Sequence, residues 1–318
     1  MTITTVRSGT VVARGERPAA RRRRLSRGRT RSAWLFLAPF WVLFLATFIA
    51  PICYAVEQSL FALHRDGLGL TAPTTRFVAL DNYVRAVQDS EFLSSLVRVV
   101  GLGVVQVPLM LGLSLLLALL LDSASVRWPG VFRTLFFLPY ALPGVIAAIM
   151  WSYLYQPGIS PLAKAAGQLG HDVDFTAPAM TLPDIGNMVT WGWTGYNMLI
   201  IFAALKAVPA ELFEAAALDG CSGWRIAWHI KIPNVRGALI LTTVFSIIGM
   251  VQLYAEPDIL RGITNTITSD YTPILAAQKA SDAGNYQYAA AQSVVLALLT
   301  LVLSFTFLKF TQRKGAGE

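Results

Sequence analysis

Of the chain's 318 residues, 55% are hydrophobic and only 14% charged, against roughly 25% charged in an ordinary soluble domain, which excludes a cytosolic globule and indicates an integral membrane protein. The formal net charge of +8 raises nucleic acid as a partner, but ten of the 26 Lys and Arg, Arg21 to Arg24 among them, precede the first apolar run. A basic segment there sets topology and attracts anionic lipid, so no nucleic acid is expected, and its Arg and Gly content predicts a disordered cytoplasmic N-terminus over 1–31.

Six apolar runs follow, at 34–55, 99–121, 135–155, 186–205, 237–255 and 288–308, each near the length of about 20 residues that crosses the hydrocarbon core as a helix. The expected fold is all-α, with six transmembrane helices. The first run exceeds the roughly 7–15 residues of a cleavable signal core, so it should remain as an anchor. Between the first two runs, 56–92 is polar and aromatic, with His64, Phe77, Tyr83 and Phe92; it forms either a short element on the outer membrane face or a solvated linker. Pro108 falls in the second run, and Pro139 and Pro143 in the third. Each removes a backbone donor and kinks its helix, either to line a pathway or as a packing feature.

With the N-terminus cytoplasmic, the segments 122–134, 206–236 and 309–318 are cytoplasmic too, and they add two, four and three cations against six outside. Both termini therefore lie in the cytoplasm. Cys53 and Cys221 fall on opposite sides of the membrane in this topology, so no disulfide framework is expected. No charged side chain lies within the six runs as drawn. Ion-coupled carriers place such groups in the bundle, so the energy for transport must come from elsewhere, backbone-carbonyl ion sites excepted.

The 206–236 segment is the place to look. Pro209 suits a first helical turn, Glu211 and Glu214 favour the positive end of the helix dipole, and Leu212, Phe213, Ala216 and Ala217 form a small apolar face. Asp219-Gly220 breaks that helix, Ser222 caps a second one carrying Trp224, Ala227 and Trp228 on one side, and Pro233 marks its end. The product is a helix, a sharp turn and a second helix. Composition leaves it either as a docking element or as an interfacial helix anchored in headgroups by its tryptophans.

Glu214, Ala215 and Ala216, then Gly220, then Ile230, Ile232 and Pro233 resemble, at matching spacing over twenty positions, the cytoplasmic EAA signature of the membrane subunits of ABC importers. Cys221 and Ile232 replace the usual Ala and Leu, and Gly237 stands where a second Pro is frequent. The resemblance extends from about residue 32 and favours the carbohydrate branch, maltose-type and glycerol-phosphate-type permeases, which 77–92, 34–45, 132–155 and 288–299 also resemble. It implies a type I ABC importer permease over 32–318, with 206–236 as a coupling loop. Glu214, Ala215, Ala216, Asp219, Gly220 and Pro233 would dock into a separate ATPase. The implied partners are a second homologous permease, two ATPase subunits, an extracytoplasmic solute-binding protein and the bilayer of the bacterial inner membrane.

A sugar asks for aromatic faces and uncharged hydrogen-bonding groups. Trp191, Trp193, Tyr196 and Asn197 in the fourth run and Gln252 and Tyr254 near the fifth supply them, and the resemblance puts Trp191 and Tyr196 where maltose-type permeases contact substrate. Aromatic residues near span ends also serve as interfacial belts. Glu256 reads as an exposed solvated carboxylate or a contact for the binding protein. The pattern GxxxxGK followed by Ser or Thr is absent, as are HExxH, CxxC and paired carboxylates. The chain is therefore expected to hold no cofactor, metal site or catalytic centre, with ATP and Mg bound by the partner ATPase. The rival readings are the same architecture for glycerol phosphate or a polyamine, an ion-coupled carrier and a membrane-embedded enzyme.

Overall fold

A computed structural model describes residues 34–64, 74–123 and 126–315, so the basic stretch 1–31 lies outside the described residues. The chain divides into two units, Met1–Tyr54 and Ala55–Glu318. The first contributes most of α1 (Trp34–Ser59). None of residues 34–54 is buried, as suits a helix whose solvent is hydrocarbon. Phe40, Phe44 and Phe48 stack one turn apart, with ring centroids at 5.8 and 5.5 Å. A single π-helical turn, Leu45–Ile49, precedes Pro51, whose ring crowds the carbonyl four residues back and whose nitrogen cannot donate to it.

In the second unit, the described parts of 56–92 fold into ordered elements. Strands β1 (Phe61–His64) and β2 (Thr74–Phe77) pair antiparallel, with Phe61 opposite Phe77 and His64 opposite Thr74, a small departure from an all-helical chain. Helix α2 (Asp81–Gln88) follows. The Asn82 amide donates to the Ser59 and Phe61 carbonyls at 2.9 and 2.6 Å, and Ala86 packs in a cluster with Phe92, Ala276 and Tyr288. A solvated linker would show neither feature.

Helix α3 (Ser90–Leu121) runs unbroken through Pro108, and α7 (Thr181–Lys206) packs along it. Val107, Met110, Ile185 and Met188 form the upper part of their seam, and Ala118, Leu121, Met198 and Ile201 the lower. Polar side chains tie the two helices together. Ser114 Oγ lies 2.7 Å from the Met110 carbonyl and 3.0 Å from that of Thr194, and Gln106 Nε2 donates to Thr190 Oγ1 at 3.3 Å. Between lipid-buried helices, packing and such bonds replace the hydrophobic drive.

The third apolar run differs most from expectation. Instead of one kinked crossing it forms α4 (Pro129–Ala141) and α5 (Gly144–Tyr155), bent by 92°. Leu142 precedes Pro143 and is forced extended, at φ −77° and ψ 135°, while Pro143 has no N–H to continue the helix. Among the described residues, five helices are then long and apolar enough to span a membrane, or six if this bent pair is one span. After α5 come the short α6 (Pro161–Gln168), α8 (Ala210–Leu218), a helical stretch 223–234 taken as α9, α10 (Arg236–Val251), α11 (Ala255–Leu260), α12 (Pro273–Asp282) and α13 (Tyr286–Gly315).

The spans are also less free of charge than the apolar runs implied. Helix α7 starts at Thr181, which brings in Asp184 at 4% exposure. Arg98 lies within α3 and bonds the Tyr271 carbonyl over the Tyr271 ring. Glu256 lies in the fifth candidate span, Arg236–Leu260. The apolar windows stopped short because helices continue past the hydrophobic stretch wherever packing satisfies their polar groups.

Candidate functional site

The fifth candidate span breaks at 252–254, between α10 and α11. Irregular backbone within a span is tolerated where it lines a cavity, and a cavity of about 270 Å³ lies there, walled by Gln106, Trp193, Gln252, Tyr254 and Glu256. A second cavity of about 320 Å³ adjoins it and shares Trp193 and Glu256. Its other wall is the α4–α5 break, through Pro139, Tyr140 and Gly144. The breaks at Pro143 and at 252–254 thus line neighbouring cavities that share Trp193 and Glu256.

The six predicted pocket residues separate into two groups. Trp193, Gln252 and Tyr254 line the first cavity. Trp191, Tyr196 and Asn197 line neither. Trp191 meets Trp151 edge to face at 5.7 Å, and Tyr196 stacks on Tyr140 at 4.5 Å. Asn197, 2% exposed, sits in the α3–α7 seam with its amide 3.7 Å from Met110 Sδ. Tyr140 carries Tyr196 and Trp193 on its ring, at 4.5 and 5.2 Å, so Tyr196 positions an aromatic wall from behind. Gln106 and Glu256 were missed as pocket residues. Gln106 had a signal, being a lone amide within the apolar run VVQVP; the solvated reading of Glu256 is corrected, because the helix break turns it into both cavities.

The 206–236 segment forms the expected elbow. Pro209 is the N-cap of α8. At its C-terminus, Cys221 N–H bonds the Ala216 carbonyl and Gly220 N–H that of Ala217, a Schellman turn that requires the positive φ of 78° at Gly220. Ser222 occupies the next N-cap but makes no side-chain cap bond. Helix α9 widens to a π turn over Ala227–Lys231 and continues one residue past Pro233 before breaking at Val235. Trp224 and Trp228 stack at 6.0 Å and are 71% and 58% exposed. Of the predicted docking residues, Glu214, Ala215, Asp219, Gly220 and Pro233 are exposed, while Ala216 is buried.

One ion cluster ties this elbow to the bundle. Asp122, directly after α3, accepts from Lys206 at the end of α7 at 2.7 Å and from Lys231 in α9 at 2.5 Å. Burial of its carboxyl opposes ionisation, but the two ammonium donors prevail and hold its pKa below the usual carboxylate value. Lys231 also lies over the Phe213 ring of α8. Asp122 thereby joins two bundle helices to both arms of the elbow.

A family model described as "binding-protein-dependent transport system inner membrane component" matches residues 110–314, a stretch that includes the elbow and every cavity residue named above except Gln106. The chain belongs to this family. It is accordingly a permease subunit of ABC importers, a transporter component of the inner membrane and not of an enzyme family. Among curated relatives, the permease is 31% identical to the lactose transport system permease protein LacF of Rhizobium radiobacter, over 86% of this chain and 92% of that one. It is 30% identical to the diacetylchitobiose uptake system permease protein NgcF of Streptomyces coelicolor, over 96% and 89%. It is 29% identical to the sn-glycerol-3-phosphate transport system permease protein UgpA of Agrobacterium fabrum, over 88% and 94%. A chain of a bacterial ABC transporter that imports alginate superposes with a TM-score of 0.75 at 19% identity, covering 91% of the permease and 99% of that chain. That likeness concerns the fold.

Proposed function

We propose that this permease forms half of the translocation pathway for a sugar or oligosaccharide and takes its energy from a separate ATPase through the 206–236 elbow. The cavity carries the reading. It offers the indole of Trp193 and the ring of Tyr254 as stacking faces and the Gln252 amide for hydroxyls, in a span interrupted to make room for them. Relatives named for lactose and diacetylchitobiose support the same substrate class. Glycerol phosphate, suggested by the similarity to UgpA, fits less well, because no Lys or Arg lines either cavity and a phosphate wants such a partner.

The elbow presents Glu214 on an exposed helix face, where its carboxylate meets a cation of the ATPase. Two ATPase subunits bind ATP and Mg, a second homologous permease completes the pathway, and an extracytoplasmic binding protein delivers the sugar. Both termini and the elbow face the cytoplasm. ATP-driven closure of the ATPase pair pulls on the elbow, and Asp122 passes the movement to α3 and α7.

Uptake of labelled lactose, trehalose and diacetylchitobiose, with glycerol 3-phosphate as comparison, by cells with and without this chain tests the reading. Loss of uptake of one of these sugars on deletion is the expected result. Loss of glycerol 3-phosphate uptake alone would move the assignment to that solute.

A further inference from the structure

We infer that Gln106 and Glu256 are the acceptor pair by which this permease selects uncharged, hydroxyl-rich saccharides and rejects anionic ones. The inference rests on the sugar-permease reading and specifies its substrate class. Gln106 is 3% exposed. Its Nε2 donates to Thr190 Oγ1 and approaches Met110 Sδ, which leaves the buried Oε1 without a partner among the described residues, in a side chain that lines the first cavity. A buried acceptor left unpaired is costly, so its place in a cavity-lining side chain marks a position for a ligand donor.

Glu256 faces the same space and the adjoining cavity. It is half-buried, and no described cation stands within ion-pair distance of it. The walls of both cavities contain no other charged side chain. An unpaired amide oxygen and a carboxylate that no described cation neutralises complement a ligand that brings O–H donors. They repel a phosphate or carboxylate, and the low dielectric of a membrane-buried site strengthens that repulsion. Trp193 borders both cavities and holds a sugar ring by its face while the two acceptors take its hydroxyls. Selection by charge thus belongs to the pathway itself, in addition to whatever the binding protein selects.

The test uses the permease assembled with its partner subunits in nanodiscs, without the binding protein. Saturation-transfer NMR reads weak contacts with the three neutral disaccharides of the uptake panel and with digalacturonate. The wild-type complex should contact at least one neutral disaccharide and not digalacturonate. Glu256→Gln, close to isosteric, should weaken the neutral contact about tenfold, the scale of one charged hydrogen bond, and admit digalacturonate. Gln106→Leu should weaken the neutral contact without admitting the anion. Co-purification of the partner subunits shows that each variant assembles.

Equal contacts of wild type with neutral and anionic sugars would overturn the inference. So would both variants binding the neutral sugar as wild type does, or a wild-type complex that contacts none of the panel. Sugar uptake by cells alongside any of these results would leave the import reading standing.

Discussion

At Gly195 the α7 backbone approaches α4 so closely that a Cβ would stand 1.8 Å from the Phe136 carbonyl oxygen. The obstacle is backbone, which cannot rotate aside, so only glycine fits. Gly195→Ala should therefore separate α4 from α7 and lower the stability of the chain by roughly 1–3 kcal/mol, read as a lower unfolding midpoint in detergent. An unchanged midpoint would mean that the two helices pack more loosely. Asp122 makes a different single-residue prediction. Because its pKa is depressed in the folded chain, its ion cluster is fully present at neutral pH. The contribution is lost only as pH falls through the carboxylate range and below. Asp122→Asn should remove it at every pH and weaken the coupling of ATP hydrolysis to uptake about fivefold or more. Wild-type coupling in that variant would show that the elbow moves the bundle by another route.

At the scale of elements, the elbow was legible and the pocket was only partly so. Helix α8, its Gly220 turn and the second helix follow from local rules: an N-terminal Pro, Glu211 in the first turn, and a glycine that accepts a positive φ. The cap bond expected from Ser222 did not form, and its helix widens into a π turn ahead of Pro233 that nearest-neighbour reasoning does not anticipate. Gln252 and Tyr254, which line a cavity, were legible as candidates because an amide and an aromatic ring stand out at the end of an apolar run. Tyr196 and Asn197 joined the candidates as an aromatic ring and an amide of the fourth run, Tyr196 also by resemblance, and in the fold they meet α4 and α3. Three-dimensional facing decides between wall and seam, and chain order cannot. On the elbow itself, Glu214→Lys reverses the exposed charge at the proposed docking face. It should abolish uptake and co-purification of the ATPase while the chain still inserts in the membrane. Normal uptake at normal expression would remove Glu214 from the coupling contact.

For the molecule as a whole, orientation is the quantity on which the proposed mechanism depends. Cys53 and Cys221 are both free thiols, which allows a direct check. In a Cys53→Ala background, expressed without the ATPase so that the elbow is uncovered, a membrane-impermeant maleimide should label Cys221 in inside-out vesicles and spare it in intact cells. Labelling from outside would place the elbow on the wrong face for a nucleotide-driven motor and end the proposal.

Composition and hydrophobic run length by themselves determined that the chain is a helical membrane protein and pointed to six crossings, because lipid leaves few structures able to satisfy the backbone. The spacing of the 214–233 motif pointed to the family to which the chain belongs, since that spacing is local and can be read along the chain without knowing the fold. Only the tertiary structure decided that the third run breaks by 92°, that the fifth breaks at 252–254, and that the two breaks line cavities with Glu256 in common. The physical reason is that a proline or a helix end states where a backbone bond is lost, whereas what fills the gap depends on which other helix lies opposite.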